Sequence, residues 1–323
     1  MKIKLVSLAV ALATAVATAL AAPVQAQEKS VAITQIVEHP ALDACRQGVK
    51  DVLAEAGFVV GKNLKWTYES AQGNPGTAAQ IARKFIGENP DVIVAISTPS
   101  SQPVAAATKT IPLVFSAVTD PVGAKLIDNM ERPGGNVTGT SDMLPLDEHL
   151  KLIKRLVPSA KTVGVVFNPG EANSVSSVAS MKEAAPALGL TIVEAPATKS
   201  SDVLAAARSA VGKADALYVP TDNTVVSAFE AVVKVGIDAK LPVFAADTDS
   251  VARGAVAALG FNYYDVGRQT GRMVVKILKG TKPGDIPAAT VEKMDLHLNL
   301  PSAEKMGVSI PDTVIAEAKK VIR

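Results

Sequence analysis

The chain alternates short continuous apolar runs with longer segments whose apolar residues recur every three or four positions. VAITQIV (31–37) is β-branched and unbroken, the pattern of a strand buried on both faces. In ALDACRQGVKDVLAEAG, which follows it, Leu42, Cys45, Val49, Val52 and Leu53 fall at helical spacing, and Gly57 supplies a stop. The cycle repeats with a strand at LKWTYES (64–70), a helix from about 75 to 88, and a strand at DVIVAIS (91–97). A helix near 102–109, a strand at IPLVFSAV (111–118) and a helix near 122–130 complete the first half. Apolar strands alternating with helices predict a parallel sheet covered on both faces.

ERPGGNVTGTSDM (131–143) interrupts this rhythm with the turn signal Pro133-Gly134-Gly135 and a short strand at 136–140. After a helix at about 146–156 the cycle restarts, with strands at TVGVVFN (162–168), LTIVEAP (190–196), DALYVPT (215–221) and LPVFAAD (241–247). One more helix follows Leu259 and ends at Gly280. The order of elements in the second half matches the first, which predicts an α/β fold of two similar Rossmann-like lobes, with a crossing near 139–145. Periodicity does not say which lobe the last helix joins.

Composition narrows the class. The 323 residues suit about two domains, and 48% hydrophobic content with 20% charge is that of a globular chain. Residues 1–26 (MKIKLVSLAVALATAVATALAAPVQA) place two lysines before a weakly apolar stretch and a Val-Gln-Ala end, the pattern of a signal peptide cleaved after Ala26. A transmembrane anchor is the rival reading, disfavoured by the Ala/Thr content and the polar sequence that follows. The expectation is an exported, periplasmic protein without stable membrane insertion. Setting Lys2 and Lys4 aside leaves 31 basic residues against 31 acidic ones, with no basic run to attract nucleic acid. The single cysteine, Cys45, excludes an intrachain disulfide and reads as a buried helix residue.

The strands end in clusters of small polar or acidic residues: Gln35 to His39, Ser97 to Ser101, Thr119-Asp120, Asn168 to Ser174, Thr221 to Asn223, and Asp247 to Ser250. In a parallel sheet all strand C-termini share one edge, where open α/β folds bind ligands. Each cluster also opens a helix, so plain capping explains any one of them. That explanation suits Asp120 before Pro121; Asn173-Ser174 and Asp222-Asn223 carry more polar groups than one cap needs. If the lobes face each other, all six clusters line the gap. No phosphate loop, nucleophile elbow or metal-ligand spacing is present, so no cofactor and no metal are expected. Of the histidines, His149 reads as a helix-surface residue, His297 as a strand residue near the second lobe, and His39 as the one placed to touch a ligand. Gly267 and Gly271 suit close helix packing. Tyr263 and Tyr264 fit a core or a binding-site wall equally well.

HPALDACRQG (39–48), ISTPSSQ (96–102), IPLVFSAVTDPVGAKL (111–126), RPGGNVTGTS (132–141), NPGEANS (168–174), YVPTDNTV (218–225) and LGFNYYDVGRQTG (259–271) together resemble the ABC-transporter substrate-binding proteins of the tryptophan/aromatic-amino-acid type. The likeness runs in order over nearly all of 31–318. It implies a type I periplasmic-binding-protein fold, two α/β lobes with parallel sheets joined by a three-segment hinge. On that model the first lobe is 28–141 plus 260–295 and the second is 142–259 plus 296–323. It also implies a monomer that delivers a small solute to an ABC permease driven by a separate ATPase.

An amino acid fits the clusters. Its carboxylate would take helix N–H groups and hydroxyls from Thr98, Ser100, Asn173 and Ser174. Its ammonium would take Asp222 or Asp247, with Asp120 third. Gln35, His39, Asn223 and Tyr263 complete the expected ligand-binding set, and Phe167, Tyr218 or Tyr263 would wall an apolar side chain. A sugar or nucleoside binder and a periplasmic sensor are the rival readings on the same fold. An enzyme using the carboxylates as acid and base lacks a recognisable nucleophile or metal motif. A DNA-binding regulator would need a basic N-terminal helix-turn-helix, where the signal segment stands.

Overall fold

The structure is a computed structural model that describes residues 28–291 and 293–323. The signal segment expected at 1–26 lies outside the described residues.

From the N-terminus run β1 (Lys29–Gln35), α1 (Pro40–Glu55), β2 (Leu64–Ser70), α2 (Pro75–Glu88), β3 (Val92–Ile96), α3 (Thr98–Ala107), β4 (Leu113–Val118) and β5 (Val137–Ser141). The second half holds α4 (Leu146–Leu156), β6 (Thr162–Phe167), α5 (Ala172–Ala184), β7 (Thr191–Pro196), α6 (Val203–Ser209), β8 (Ala216–Val219), α7 (Asn223–Ser227), α8 (Phe229–Ala239), β9 (Val243–Ala245), α9 (Asp249–Ala252) and β10 (Ala257–Gly260). The chain ends with α10 (Tyr263–Leu278), β11 (Ala289–Thr290), β12 (Asp295–Asn299), α11 (Leu300–Lys305), α12 (Asp312–Glu317) and β13 (Lys320–Ile322).

These strands form two sheets, ordered β11-β5-β4-β3-β1-β2 and β13-β12-β10-β9-β8-β6-β7. The first is parallel throughout. In the second, β12 pairs antiparallel with β10, so it and β13 depart from the expected all-parallel sheet. The chain passes between sheets after β5, after β10 and after β11. β3 and β4 are buried at every position, as strands covered on both faces must be.

Each sheet reverses its winding direction between its first strand and the one beside it, β1/β3 in one lobe and β6/β8 in the other. Loops leaving such neighbouring strands diverge to opposite faces and open a crevice at the strand C-termini. The two crevices supply opposing walls of one cleft.

The last long helix belongs to the first lobe. α10 lies on α1 at glycine contact distance: a Cβ at Gly267 would stand 1.9 Å from the Cys45 carbonyl oxygen, and one at Gly48 2.2 Å from that of Tyr264. Bare backbone at both positions is what lets the helices meet. Cys45 is buried there, its Sγ 3.0 Å from the Ser116 hydroxyl.

Three local expectations are corrected. Segment 122–130 forms turns rather than a helix, because Asp120 caps a single turn at the Gly123 amide and Lys125 then adopts a positive φ of 60°. α3 starts at Thr98, so the Thr-Pro-Ser-Ser run is its first turn and not a preceding loop. His149 is buried rather than on the helix surface: Tyr218, 69 residues away, places its phenol oxygen 2.8 Å from the His149 Nδ1. His297 lies in β12, on the second sheet.

Candidate functional site

Between the lobes lies a tight, partly open cavity, its roughly 330 Å³ of atom-free space including solvent at its mouth. His39, Ala41, Leu42 and Ala117 contribute from the first sheet's strand ends; Asn173, Thr221, Asp222, Asn223, Val226 and Asp247 from the second. Tyr263 and Asp142 close it beside the crossing segments. Capping logic builds the lining. His39 is the N-cap of α1, Asp222 of α7, and Asp247 takes the amide and hydroxyl of Ser250 at the start of α9.

Backbone strain marks the same edge. Ser97, between β3 and α3, has φ 81°, and Ala117, in β4, has φ 53° at the point where pairing with β5 shifts register. Non-glycine residues held there require a surrounding structure that over-determines them, a feature concentrated at ligand clamps.

Among the described residues, no lysine or arginine lines the cavity, whereas Asp142, Asp222 and Asp247 do. Burial raises all three carboxyls above their ordinary range. For Asp222 the neighbouring Glu171 adds like-charge repulsion. Burial acts oppositely on His39, holding its imidazole down at about 3, with Arg253 adding to the effect, so the ring is neutral at physiological pH. The walls therefore present carboxyl groups whose ionised form burial disfavours, together with neutral donors, an environment in which a ligand cation would stabilise a carboxylate.

The lobes are in direct contact across the cleft. Thr119 donates its hydroxyl to Asp142 (2.9 Å), which leaves the Thr221 hydroxyl of the opposite lobe to donate to Thr119 (3.0 Å). Ser176 of the second lobe donates to Asp120 of the first (3.1 Å).

Five of the eleven expected residues do not line the cavity. Gln35 is consumed within its own lobe, donating to Asp43 and the Val37 carbonyl and accepting from Arg46. Ser174 donates to Asp222 at 2.6 Å. Asp120 caps Gly123 and bridges to Ser176. Thr98 and Ser100 are buried in the first turn of α3, and neither hydroxyl has a partner among the described residues. His39, Asn173, Asp222, Asn223, Asp247 and Tyr263 do line it. Of the proposed walls only Tyr263 reaches the cavity: Tyr218 is buried against His149, and Phe167 is buried at the end of β6.

Sequence reading missed Asp142, Thr221 and Glu171. Glu171 accepts the amides of Asn223 (3.1 Å) and Thr224 (2.9 Å) and so orders the α7 start. Each follows a strand end within an already recognisable polar stretch, which was the available signal.

The family model for ABC transporter substrate binding proteins matches residues 30–322. The chain is 42% identical over 273 residues to the Tyrosine-binding protein of Clostridioides difficile, covering 84% of this chain and 79% of that one. A solved ABC domain in complex with L-Trp from Streptococcus pneumonia is 34% identical and superimposes with TM-score 0.88, over 92% of this chain and all of that one. A ligand-free, open substrate binding protein with adhesive properties from Clostridium difficile is 43% identical, yet its TM-score is 0.68, over 91% and 99% of the two chains. The nearer sequence thus gives the poorer superposition, and the interlobe hydrogen bonds agree that the lobes here stand closed. Sugar- and polyol-binding proteins at 14–16% identity share the fold alone. The chain belongs to the ABC transporter substrate binding protein family.

Proposed function

We propose that this protein captures a free aromatic amino acid, tyrosine or tryptophan, between its lobes and presents it in the periplasm to an ABC permease. The carrying observation is the acidic, cation-free interlobe cavity with Tyr263 in its wall. A zwitterion needs an acceptor for its ammonium and donors for its carboxylate. The cavity carboxylates supply the first; the unpartnered hydroxyls of Thr98 and Ser100 at the start of α3, which stand outside the cavity lining in this closed form, are proposed for the second. The tyrosine- and tryptophan-binding relatives support the ring.

On this reading the molecule is a hinged trap, with lobes of 28–141 plus 260–295 and 142–259 plus 296–323, acting as a monomer and without catalysis. Ligand favours closure because only the closed form engages both walls at once. Converting a 99:1 open-to-closed population to 1:99 needs a differential affinity of about 5.5 kcal/mol. Export by cleavage after Ala26 would place the trap on the same side as its permease.

Mass spectrometry of the compound released on denaturing the purified protein tests the reading, together with calorimetric titration of the twenty amino acids. An aromatic amino acid in the released fraction, or as the tightest ligand, is the expected result. A sugar or nucleoside in its place would overturn it.

A further inference from the structure

The cavity holds three carboxylates, and the fold accounts for two. Asp222 accepts the Val225 amide on one oxygen (2.7 Å), and the Asn168 amide (2.5 Å) and Ser174 hydroxyl (2.6 Å) on the other. Asp247 caps its own helix through Ser250 and feels the attraction of Arg253. Asp142 does neither. It follows β5, four residues before α4 begins, and caps no helix. It is 2% exposed, and among the described residues its side-chain partners are the hydroxyls of Thr119 (2.9 Å) and Tyr263 (2.7 Å). A carboxylate accepts about four hydrogen bonds, so two of its acceptor positions stay open. It is the lining carboxylate with neither a helix start nor a nearby cation to compensate its burial.

A second, independent observation lies on the opposite wall. Asn173 is 3% exposed and its amide oxygen has no partner among the described residues. Its orientation is settled by the nitrogen, which faces two acceptors, the Thr221 carbonyl (2.6 Å) and Glu171 (3.2 Å). The oxygen therefore awaits a donor that the chain itself does not supply.

We propose that Asp142, in the crossing segment, is the residue that receives the ligand's ammonium group, with the Asn173 amide oxygen of α5 as second acceptor. This rests on the amino-acid reading above and departs from the assignment of that role to Asp222 or Asp247. An ammonium has three donors and no acceptor, so it suits both vacant positions. It would tie the crossing segment to the second lobe. Thr119 then acts as a positioning residue, holding the Asp142 carboxylate while accepting from Thr221 across the cleft.

The test is calorimetric titration of wild type, Asp142→Asn, Asp222→Asn and Asp247→Asn with L-tyrosine and L-tryptophan. The des-amino analogues 3-(4-hydroxyphenyl)propionate and indole-3-propionate are titrated alongside. Wild type is expected to prefer the amino acid by about 100-fold, the worth of a buried charge-assisted bond pair. Asp142→Asn should cut that preference at least tenfold, and by more than either Asp222→Asn or Asp247→Asn does. Full preference retained by Asp142→Asn, with loss in one of the other two, overturns the assignment alone. No amino-acid binding by wild type overturns the functional reading and the assignment with it. A crystal structure of the wild-type complex decides the question if Asp142→Asn fails to fold. The ligand nitrogen should lie about 3 Å from Asp142, and a nitrogen on Asp222 or Asp247 instead refutes the proposal.

Discussion

The hydroxyls of Thr119 and Thr221 stand 3.0 Å apart although 102 residues separate them and each belongs to a different lobe. Thr119 also donates to Asp142, which accepts from Tyr263, so one chain of hydrogen bonds runs from α10 through the crossing segment into the second lobe. Opening the cleft must break it. Thr119→Val keeps the shape and removes the link. Ligand affinity is expected to fall about tenfold, equivalent to about 1.4 kcal/mol, near the upper end of one hydrogen bond's net worth. Small-angle scattering should show a larger open fraction at equal ligand. An unchanged scattering profile and affinity would remove Thr119 from the closing mechanism.

The idle hydroxyls on α3 give a sharper discrimination. Buried donors without partners add nothing to the ligand-free fold, so Thr98→Val and Ser100→Ala should leave the ligand-free melting temperature unchanged or slightly higher. The rise in melting temperature on adding amino acid should shrink. Equal stabilisation of variants and parent by ligand would mean that these hydroxyls serve something other than the carboxylate.

Acid should weaken the fold through buried imidazoles. Burial holds His149 at about 4, below its ordinary 6.5. Between those values the unfolded chain binds a proton that the folded chain does not, so stability falls as pH drops from about 6.5 to 4. The loss from this group is about 3 kcal/mol. His149→Gln keeps a polar partner for Tyr218 and should flatten that limb of a denaturation series. An equally steep limb in the variant would assign the acid sensitivity to other groups.

The α1–α10 seam has no room for a methyl group. With 1.9 Å available at Gly267, Gly267→Ala must push the two helices apart, at a cost of about 1–3 kcal/mol. Thermal unfolding of the variant without ligand measures this; an unchanged midpoint would show that the helices can separate freely.

Sequence alone determined the alternation of strands and helices, the doubling into two lobes and the polar edge at which ligand must bind. These follow from local periodicity and from caps whose partners lie three residues away, as Asp222 does to Val225. Only the tertiary structure decided which of those polar groups are free. Gln35 and Ser174 read as ligand contacts, but Arg46, Asp43 and Asp222 occupy them. Asp142 follows a strand end but opens no helix, so capping did not point to it, and its partners come from 23 and 121 residues away. His149 was misjudged for the same reason: its partner Tyr218 reaches it only once α4 packs onto the second sheet. Whether a polar side chain is spent on the fold or left for a guest depends on the donors and acceptors that folding brings to it.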